Sequence, residues 1–342
     1  LGHIRGGLGH ATILTCAVFA AISGAAVATA VAVGVVMIPA MRKAGYDEDV
    51  AAALTCTAAC MGPIIPPSIP FIIYGVAANV SIGALFLGGV FPGILLGAAL
   101  MVYMTIVASA RDYPRDPQKS LREIGGAGWS ALPALSMPVL IIGGILSGMF
   151  TPTEAAGVAV VYAAFVGAFV YRKLNFGNLP GILLKSGLES GMVMLLIAMS
   201  EPFAWIIAVE QIPQLLIEQI STLTVSPWLI LLVINIFLLL LGIPLETAPA
   251  LVIVTPVLVP IAAAAGIDPV HLGIVVCLNL VLGLITPPVG AVLFAVCGIA
   301  NLSLARLSRA LVLPFLVSLA VLAVVTYVPW LSTFLPGLLL GR

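Results

Sequence analysis

The chain has 342 residues, of which 62% are hydrophobic and only 8% are charged, and its formal net charge is zero. Soluble domains carry about 25% charged residues, so this composition excludes a water-soluble globular protein. A zero net charge argues against nucleic acid as a partner. We therefore expect a polytopic protein that has the lipid bilayer as its solvent.

The first predicted element is a re-entrant helical hairpin over residues 11–42. Small residues from Ser23 to Ala26 form its centre, and the halves on either side are too short to cross a bilayer comfortably. A second apolar stretch, residues 48–79, is interrupted by Pro66 and Pro67. Two consecutive prolines remove two backbone donors and clash with the preceding turn, so we predict a broken helix.

Four uninterrupted apolar stretches follow, each close to the length of about 20 residues that a membrane span needs. They cover residues 84–108, 131–150, 155–171 and 181–207. Residues 208–224 are amphipathic and are predicted to lie in the membrane plane.

The second part of the chain repeats the first pattern. Residues 228–264 form a second predicted hairpin, with the segment from Gly242 to Thr247 at its centre. Residues 270–300 contain a second broken helix, interrupted at Pro287-Pro288, and one terminal span is expected at 311–335.

An internal duplication is the strongest feature of the sequence. Matching motifs recur at an offset of 221 residues (283 minus 62): Gly62-x-x-x-Pro66-Pro67 with Gly283-x-x-x-Pro287-Pro288, Ile38-Pro39 with Val259-Pro260, and Gly45-x-Asp47 with Gly266-x-Asp268. Asn79-x-Ser81 matches Asn301-x-Ser303 after a shift of one residue. Four agreements in the same order predict two copies of one unit, each made of a hairpin, a short loop and a broken helix.

The distribution of basic residues predicts the orientation of these units. If the 42–49 loop is cytoplasmic, the basic loop 111–123 and the Arg172-Lys173 pair are cytoplasmic too. Of the thirteen Lys and Arg residues, only Arg342 then lies outside, as the positive-inside rule requires. The two hairpins enter from opposite sides, so the duplication is inverted, as in many secondary transporters.

The predicted fold is therefore an all-α polytopic membrane protein, an inverted repeat with two re-entrant hairpins and two Pro-Pro broken helices. We assign residues 1–83 to the first transport repeat and 226–303 to the second. Residues 84–225 are assigned to scaffold helices, with a cytoplasmic loop at 111–130 and the arm at 208–224, and residues 304–342 to a terminal scaffold helix.

Helix breaks at membrane depth have a physical use. Unwound carbonyls can coordinate a cation such as Na⁺, and helix N-termini can face an anionic group. We predict two sodium sites, the first formed by Ser23, Gly24, Ala25, Gly62, Pro63 and Pro66, and the second by Gly242, Glu246, Thr247, Gly283, Thr286 and Pro287. Glu246 either ligates the cation or anchors its loop by hydrogen bonding.

A solute site is predicted between the two sodium sites. Its candidate residues are Ser23, Ala26, Ser68, Thr247, Asn279 and Gly290. The alternative is that the breaks are structural kinks without ligands. The sequence contains no catalytic motif, so we expect no enzyme activity, and without a phosphate-binding loop any transport depends on ion gradients or an external ATPase.

Three runs carry a resemblance to a known family: Phe19–Ala30, Met61–Pro70 and Gly283–Gly290. Together they closely resemble the large membrane subunit of tripartite ATP-independent periplasmic (TRAP) transporters. The resemblance covers essentially the whole chain. The first two or three helices of the family have no counterpart here, so we expect a truncation at the N-terminus.

The resemblance implies an elevator-type importer in the bacterial inner membrane, with a periplasmic C-terminus. It implies two protein partners, a small TRAP membrane subunit and a periplasmic solute-binding protein. The expected solute is a small organic acid of the dicarboxylate or sugar-acid type, with Na⁺ as the coupling ion. Two alternatives stay open: a stand-alone sodium/dicarboxylate symporter without a binding protein, and a non-transporting scaffold or channel.

Repairing the first helix break tests whether it is more than a kink. We expect replacement of Pro66→Ala together with Pro67→Ala to abolish sodium-driven uptake, because a continuous helix no longer offers free backbone groups. Membrane insertion, measured by protease protection, is expected to stay intact. Normal uptake by the double variant would show that the break is only a kink.

Overall fold

The computed structural model of the protein describes residues 4–114, 121–211 and 226–341, and every regular element in these ranges is helical. Seven helices in the described ranges are long and apolar enough to cross a membrane. The prediction of an all-α polytopic protein is thereby confirmed.

The first hairpin consists of α1 (Gly7–Ser23) and α2 (Ala26–Lys43), which pack against each other. The chain turns at Gly24, whose φ of 62° lies in the left-handed region that glycine adopts without a steric cost. With 18 residues, α2 is by itself long and apolar enough to cross the membrane. This second arm is therefore longer than the sequence pattern suggested.

The first broken helix is made of α3 (Glu48–Ala59) and α4 (Ile69–Ala77). Residues 60–68 join them without regular helix, and the Pro66–Pro67 peptide bond is cis. The predicted break is thus present, and its two halves are distinct helices.

Four long helices connect the repeats: α5 (Ile82–Ala110), α6 (Leu121–Leu146), α7 (Pro152–Phe165) and α8 (Leu179–Val209). A π-helical turn, Val166–Val170, extends α7. Most of the predicted amphipathic arm at 208–224 lies outside the described residues.

The second repeat has the same order of elements. Its hairpin consists of α9 (Pro227–Gly242) and α10 (Thr247–Ala264), and its broken helix of α11 (Pro269–Gly283) and α12 (Ala291–Ala300). The peptide bond between the two prolines of this break is again cis.

The predicted single terminal helix is corrected by the structure, which contains α13 (Leu304–Tyr327) and α14 (Trp330–Leu340). The chain leaves the helix at Val328 because the ring of the following Pro329 disfavours the helical conformation of the residue before it. The new direction is stabilised by stacking of Trp330 on Phe91 of α5, with 5.7 Å between the ring centroids.

The packing of the helices repeats with the sequence. The second arm of each hairpin packs against the second half of the other repeat's broken helix, so α2 contacts α12 and α10 contacts α4. Cys60 and Val281, which are 221 positions apart, meet at the centre, where the Cys60 thiol donates to the Val281 carbonyl at 3.8 Å. The left-handed turns recur as well, at Gly45 and Gly266 and at Asn79 and Asn301. The inverted-repeat fold is confirmed by this reciprocal packing.

The connecting helices differ in how deeply they are packed. Buried side chains are frequent along α5, which contacts α1, α11, α13 and α14, whereas α6, α7 and α8 are mostly exposed. Within the described residues, α6 and α7 pack mainly on each other and α8 packs against α10. The assignment of α5 and α13 to a fixed scaffold, rather than to the body that contains the hairpins, stays a prediction.

Charged side chains from four segments meet on one face of the molecule. The Asp47 carboxylate, in the loop after α2, accepts hydrogen bonds from Arg111 at the end of α5 and from the Tyr113 hydroxyl, the latter at 2.7 Å. Further ion pairs on this face join Arg42 to Glu48, Arg306 to Asp49 and Arg5 to Asp112. The 42–49 loop, the end of α5 and the start of α13, which the charge pattern assigned to one side of the membrane, therefore lie together, and the assignment of Arg172-Lys173 to that side stays a prediction.

The Asp47 cluster generates a prediction about acid stability. The hydrogen bonds from Tyr113 and Arg111 hold the pKa of Asp47 below its ordinary value. A carboxyl whose pKa is lowered on folding contributes stability above its unfolded pKa of about 3.9, and this contribution is lost as the pH falls through the folded pKa. Asp47→Asn is expected to lower unfolding stability by about 0.5–1 kcal/mol at pH 7, the scale of a half-exposed ion pair, and to have a smaller effect at pH 3, where part of the contribution is already lost.

Thermal unfolding in detergent at both pH values measures this effect. Asp112→Asn is the matched control, because its side chain is 81% exposed and its ion pair among the described residues is with Arg5. Equal stabilities of the wild type and Asp47→Asn at pH 7 would contradict the assignment.

Candidate functional site

The first break is closed by a single serine. The Ser68 hydroxyl donates to the Pro63 carbonyl and accepts from the Phe71 N–H at 3.2 Å, so it caps α4, and the side chain is fully buried. These bonds use the proton and one lone pair of the Ser68 hydroxyl and leave one lone pair, so contact with a solute stays a prediction.

The tip of the first hairpin lies directly on this break. The Gly24 carbonyl accepts from the Ile69 N–H at 3.4 Å, and a Cβ added to Gly24 would lie 2.9 Å from the Pro67 carbonyl oxygen. A Cβ on Gly62 would lie 2.8 Å from the Ala25 carbonyl oxygen. The two segments predicted to form the first sodium site are thus in backbone contact.

The hydroxyl groups at the first tip satisfy one another. Thr29 donates to the Ala25 carbonyl at 2.8 Å, and its oxygen lies 2.8 Å from the Ser23 hydroxyl. Thr29 is fully buried, and it is not among the residues predicted for the site. Its position, one turn into the helix that leaves the tip, was the available signal.

The tip of the second hairpin also contacts the broken helix of its own repeat, and the contact is made by two glycines. Gly242 ends the first arm and Gly283 ends the first half of the broken helix, and a Cβ on Gly283 would lie 2.6 Å from the Gly242 Cα. Beyond this contact, Thr286 donates to the Leu282 carbonyl at 2.9 Å. A Cβ on Gly290 would lie 2.7 Å from the Leu284 carbonyl oxygen. Of the second predicted set, Gly242 and Gly283 are thus in contact, and the gathering of the other four residues around a cation stays a prediction.

The two sites differ in exposure. At the first break Pro66 is buried, whereas at the second break Pro287 and Pro288 are exposed. At the second tip Glu246 is also exposed, and its side chain does not cap α10. The prolines of the second break are therefore more exposed than Pro66 of the first.

Two predicted solute contacts carry unpartnered polar atoms. In the described parts of the chain, the Thr247 hydroxyl and the Asn279 side-chain carbonyl are the buried side-chain N or O atoms without a hydrogen-bond partner. Thr247 is 5% exposed and Asn279 is fully buried. Buried polar groups are normally paired, so each of these atoms is a candidate to meet a ligand.

The site contains little charge of its own. The ion pairs of the described residues lie on the Asp47 face, and Glu246 is the charged residue at the tips. The described residues hold no cluster of three or more His, Cys, Asp or Glu side chains. Four helices, α2, α4, α10 and α12, begin at the tips and breaks, and their N-termini carry partial positive charge.

This architecture defines a multi-pass membrane protein of the transporter class, built from paired hairpins and broken helices. The fold is similar to that in "Crystal structure of the Alcanivorax borkumensis YdaH transporter reveals an unusual topology", with a TM-score of 0.63 over 96% of this chain and 84% of that chain, at 18% identity. At that identity the likeness shows the fold alone.

Residues 1–331 match the model of the family described as "Tripartite ATP-independent periplasmic transporter, DctM component". The chain belongs to this family, and it is a transporter subunit rather than an enzyme. It is 46% identical to the C4-dicarboxylate TRAP transporter large permease protein DctM of Pseudomonas aeruginosa, over 98% of this chain and 79% of that protein.

Two other relatives carry different solutes in their names. The sialic acid TRAP transporter large permease protein SiaM of Vibrio cholerae is 43% identical over all of this chain and 80% of its own length. The isethionate TRAP transporter permease protein DctMQ of Oleidesulfovibrio alaskensis is 42% identical over 98% of this chain, which spans 53% of that longer protein.

The Gly242–Gly283 contact yields a prediction. Gly283→Ala is expected to force α9 and α11 apart and to destabilise the protein by about 1–3 kcal/mol, because backbone atoms cannot move aside as a flexible side chain does. Gly298→Ala is the matched control, since a Cβ there meets nothing within 4 Å. Unfolding in detergent measures both; an equal effect of the two substitutions would show that the contact is not close-packed.

Proposed function

We propose that the chain is the large membrane subunit of a sodium-driven importer of a small organic acid. The observation that carries the proposal is that each hairpin tip lies on the broken helix of its own repeat. Non-helical backbone of two segments meets at each of these contacts, and the second tip also carries the buried Thr247 hydroxyl, which has no partner. Secondary transporters of the inverted-repeat type bind ions and solute at such places.

Two sodium ions would be held by oxygen atoms of backbone carbonyls and hydroxyls. The proposed ligand segments are Ser23–Ala25 with 62–66, and Gly242–Thr247 with 283–287, the same residues that the sequence predicts. The lack of a His, Cys and carboxylate cluster in the described residues supports oxygen ligands of this kind over a transition-metal site.

Helix N-termini, rather than basic side chains, would bind the negatively charged group of the solute. Four helices begin around the tips and breaks, and a helix N-terminus stabilises a negative group through its free N–H groups and its dipole. The solute class follows from the relatives, whose names include C4-dicarboxylate, sialic acid and 2,3-diketo-L-gulonate. Proposed contacts are Ser23, Ala26, Ser68, Thr247, Asn279 and Gly290.

The proposed assembly has two further components. A small TRAP membrane subunit would brace the exposed helices α6, α7 and α8, and a periplasmic binding protein would deliver the solute. The hairpins would move as an elevator in a bacterial inner membrane, with the Asp47 face cytoplasmic and the C-terminus periplasmic. The relative named DctMQ supports the pairing of a large subunit with a further membrane component.

Family membership weighs against both alternatives. A stand-alone sodium/dicarboxylate symporter would work without a binding protein, and a scaffold or channel would show no saturation and no dependence on a sodium gradient. The relatives are named as TRAP permease proteins, so we prefer the three-component importer.

Uptake into proteoliposomes tests the proposal. The complete permease is reconstituted with its small subunit, the binding protein is added outside with labelled malate or sialic acid, and an inward sodium gradient is imposed or omitted. We expect saturable uptake that needs both the gradient and the binding protein. Uptake that is indifferent to sodium would sink the proposal, and uptake without the binding protein would favour the stand-alone symporter.

A further inference from the structure

A pair of asparagines is buried between α9 and α11. The Asn279 amide nitrogen donates to the Asn235 backbone carbonyl at 3.0 Å and to the Asn235 side-chain oxygen at 2.6 Å. The Asn235 amide nitrogen donates in turn to the Thr326 hydroxyl of α13 at 3.0 Å. The orientation of both amides is therefore fixed by these bonds.

The chain of polar groups continues into the bend between α13 and α14. His271 Nε2 lies 3.1 Å from the Thr326 carbonyl, which can only accept, so this nitrogen carries the proton. His271 Nδ1 lies 2.7 Å from the hydroxyl oxygen of Ser332 in α14, which is also 3.0 Å from the Pro329 carbonyl oxygen. The side chains from Asn235 to Ser332 in this network are all buried. Four helices thus hold one asparagine in place.

The network leaves the Asn279 side-chain carbonyl as its single open end. This oxygen is buried and has no partner, and reversing the amide would place it against two oxygens of Asn235. A buried acceptor without a donor costs free energy, so a ligand that brings a donor is stabilised there. The Asn279 side-chain oxygen can accept a hydrogen bond but cannot donate one. A carboxylate of the solute also only accepts, so it is excluded as the group that this oxygen contacts.

A hydroxyl group fits this site better than a sodium ion does. A sodium ion needs several oxygen ligands, whereas Asn279 offers one, and its sequence neighbours on α11, from Cys277 to Leu282, are otherwise apolar and buried. Asn279 lies four residues before Gly283, about 6 Å along the helix from the glycine contact. Thr247, five residues after Gly242, carries the other unpartnered oxygen and can donate to a carboxylate.

We propose that Asn279 is a specificity-determining residue that accepts a hydrogen bond from a hydroxyl group of the transported acid. Asn235, Thr326 and His271 are positioning residues that act through it. The preferred solutes are hydroxylated organic acids rather than their deoxy analogues. The equivalent position of the first repeat is Ala58, so the preference arises in one repeat alone. This inference rests on the proposed function, since it specifies the solute of that site.

The test compares acids that differ by one hydroxyl. The complete permease with its small subunit is purified in detergent with sodium, and calorimetry measures binding of malate against succinate, lactate against propionate, and isethionate against ethanesulfonate. We expect the wild type to prefer the hydroxylated member of the pair that it binds. Asn279→Ala is expected to weaken binding of that member about tenfold, the loss of one hydrogen bond, and to change the deoxy member less than twofold.

A second variant tests the positioning residues with a smaller risk of misfolding than Asn279→Ala. Thr326→Val keeps the shape but removes the oxygen that holds Asn235, so the hydroxyl preference is expected to fall part of the way. Thr105→Val is the matched control, because both threonines donate to the carbonyl four residues earlier and Thr105 is not part of the network. Its hydroxyl preference is expected to equal that of the wild type.

The outcomes separate this inference from the proposed function. Saturable binding with equal affinities within each pair would overturn the hydroxyl subsite and leave the importer standing. Equal weakening of both members by Asn279→Ala would also overturn it, because a purely structural residue behaves in that way. No saturable binding of any acid by the wild type would overturn both.

Discussion

The structure depends on one constraint, which is that a backbone group freed inside a bilayer must find a partner there. Lipid offers none, so a non-helical segment at membrane depth has to be buried in protein or to line a cavity. Both breaks of this chain meet the constraint in the same way, by placing a hairpin tip on the unwound segment. Glycines at Gly24, Gly62, Gly242 and Gly283 allow the backbones to touch. The helices around the breaks are arranged so that these contacts are possible.

Much of this arrangement could be predicted from the sequence because its signals are local and occur twice. Tandem prolines interrupt a helix wherever they occur. Because the two pairs belong to motifs that recur at a constant offset, they predict two copies of one structural unit. The distribution of basic residues predicts which loops lie on the same side of the membrane. The ion pairs around Asp47 agree with that grouping. The break at Val328 and Pro329 is not predicted, because a single proline near the end of an apolar stretch is a weaker signal for a helix break than two consecutive prolines.

The polar contacts of the site were less predictable, since they join residues that are far apart in sequence. Asn235 and Asn279 are 44 positions apart, and His271 reaches Ser332 across 61. Thr247 is predicted from its place at the second tip and Asn279 from its place in an apolar helix one turn before Gly283, and both prove to be unpartnered. Ser68 is predicted from its place at the first break, yet its hydroxyl caps a helix. Local pattern shows that a polar group is present, and packing decides whether it is used.

The difference in exposure between the two breaks has a consequence for any molecule built from two inverted copies. A passage open at both ends would let ions and solute run down their gradients together and waste the stored energy. In the proposed importer, the two repeats would therefore have to differ in exposure at every moment, although their sequences match. The conformation with Pro66 buried and Pro287 exposed would be one of two, and the other would expose the first break and cover the second. The two repeats would then be equivalent only over the whole transport cycle, and not within any single conformation.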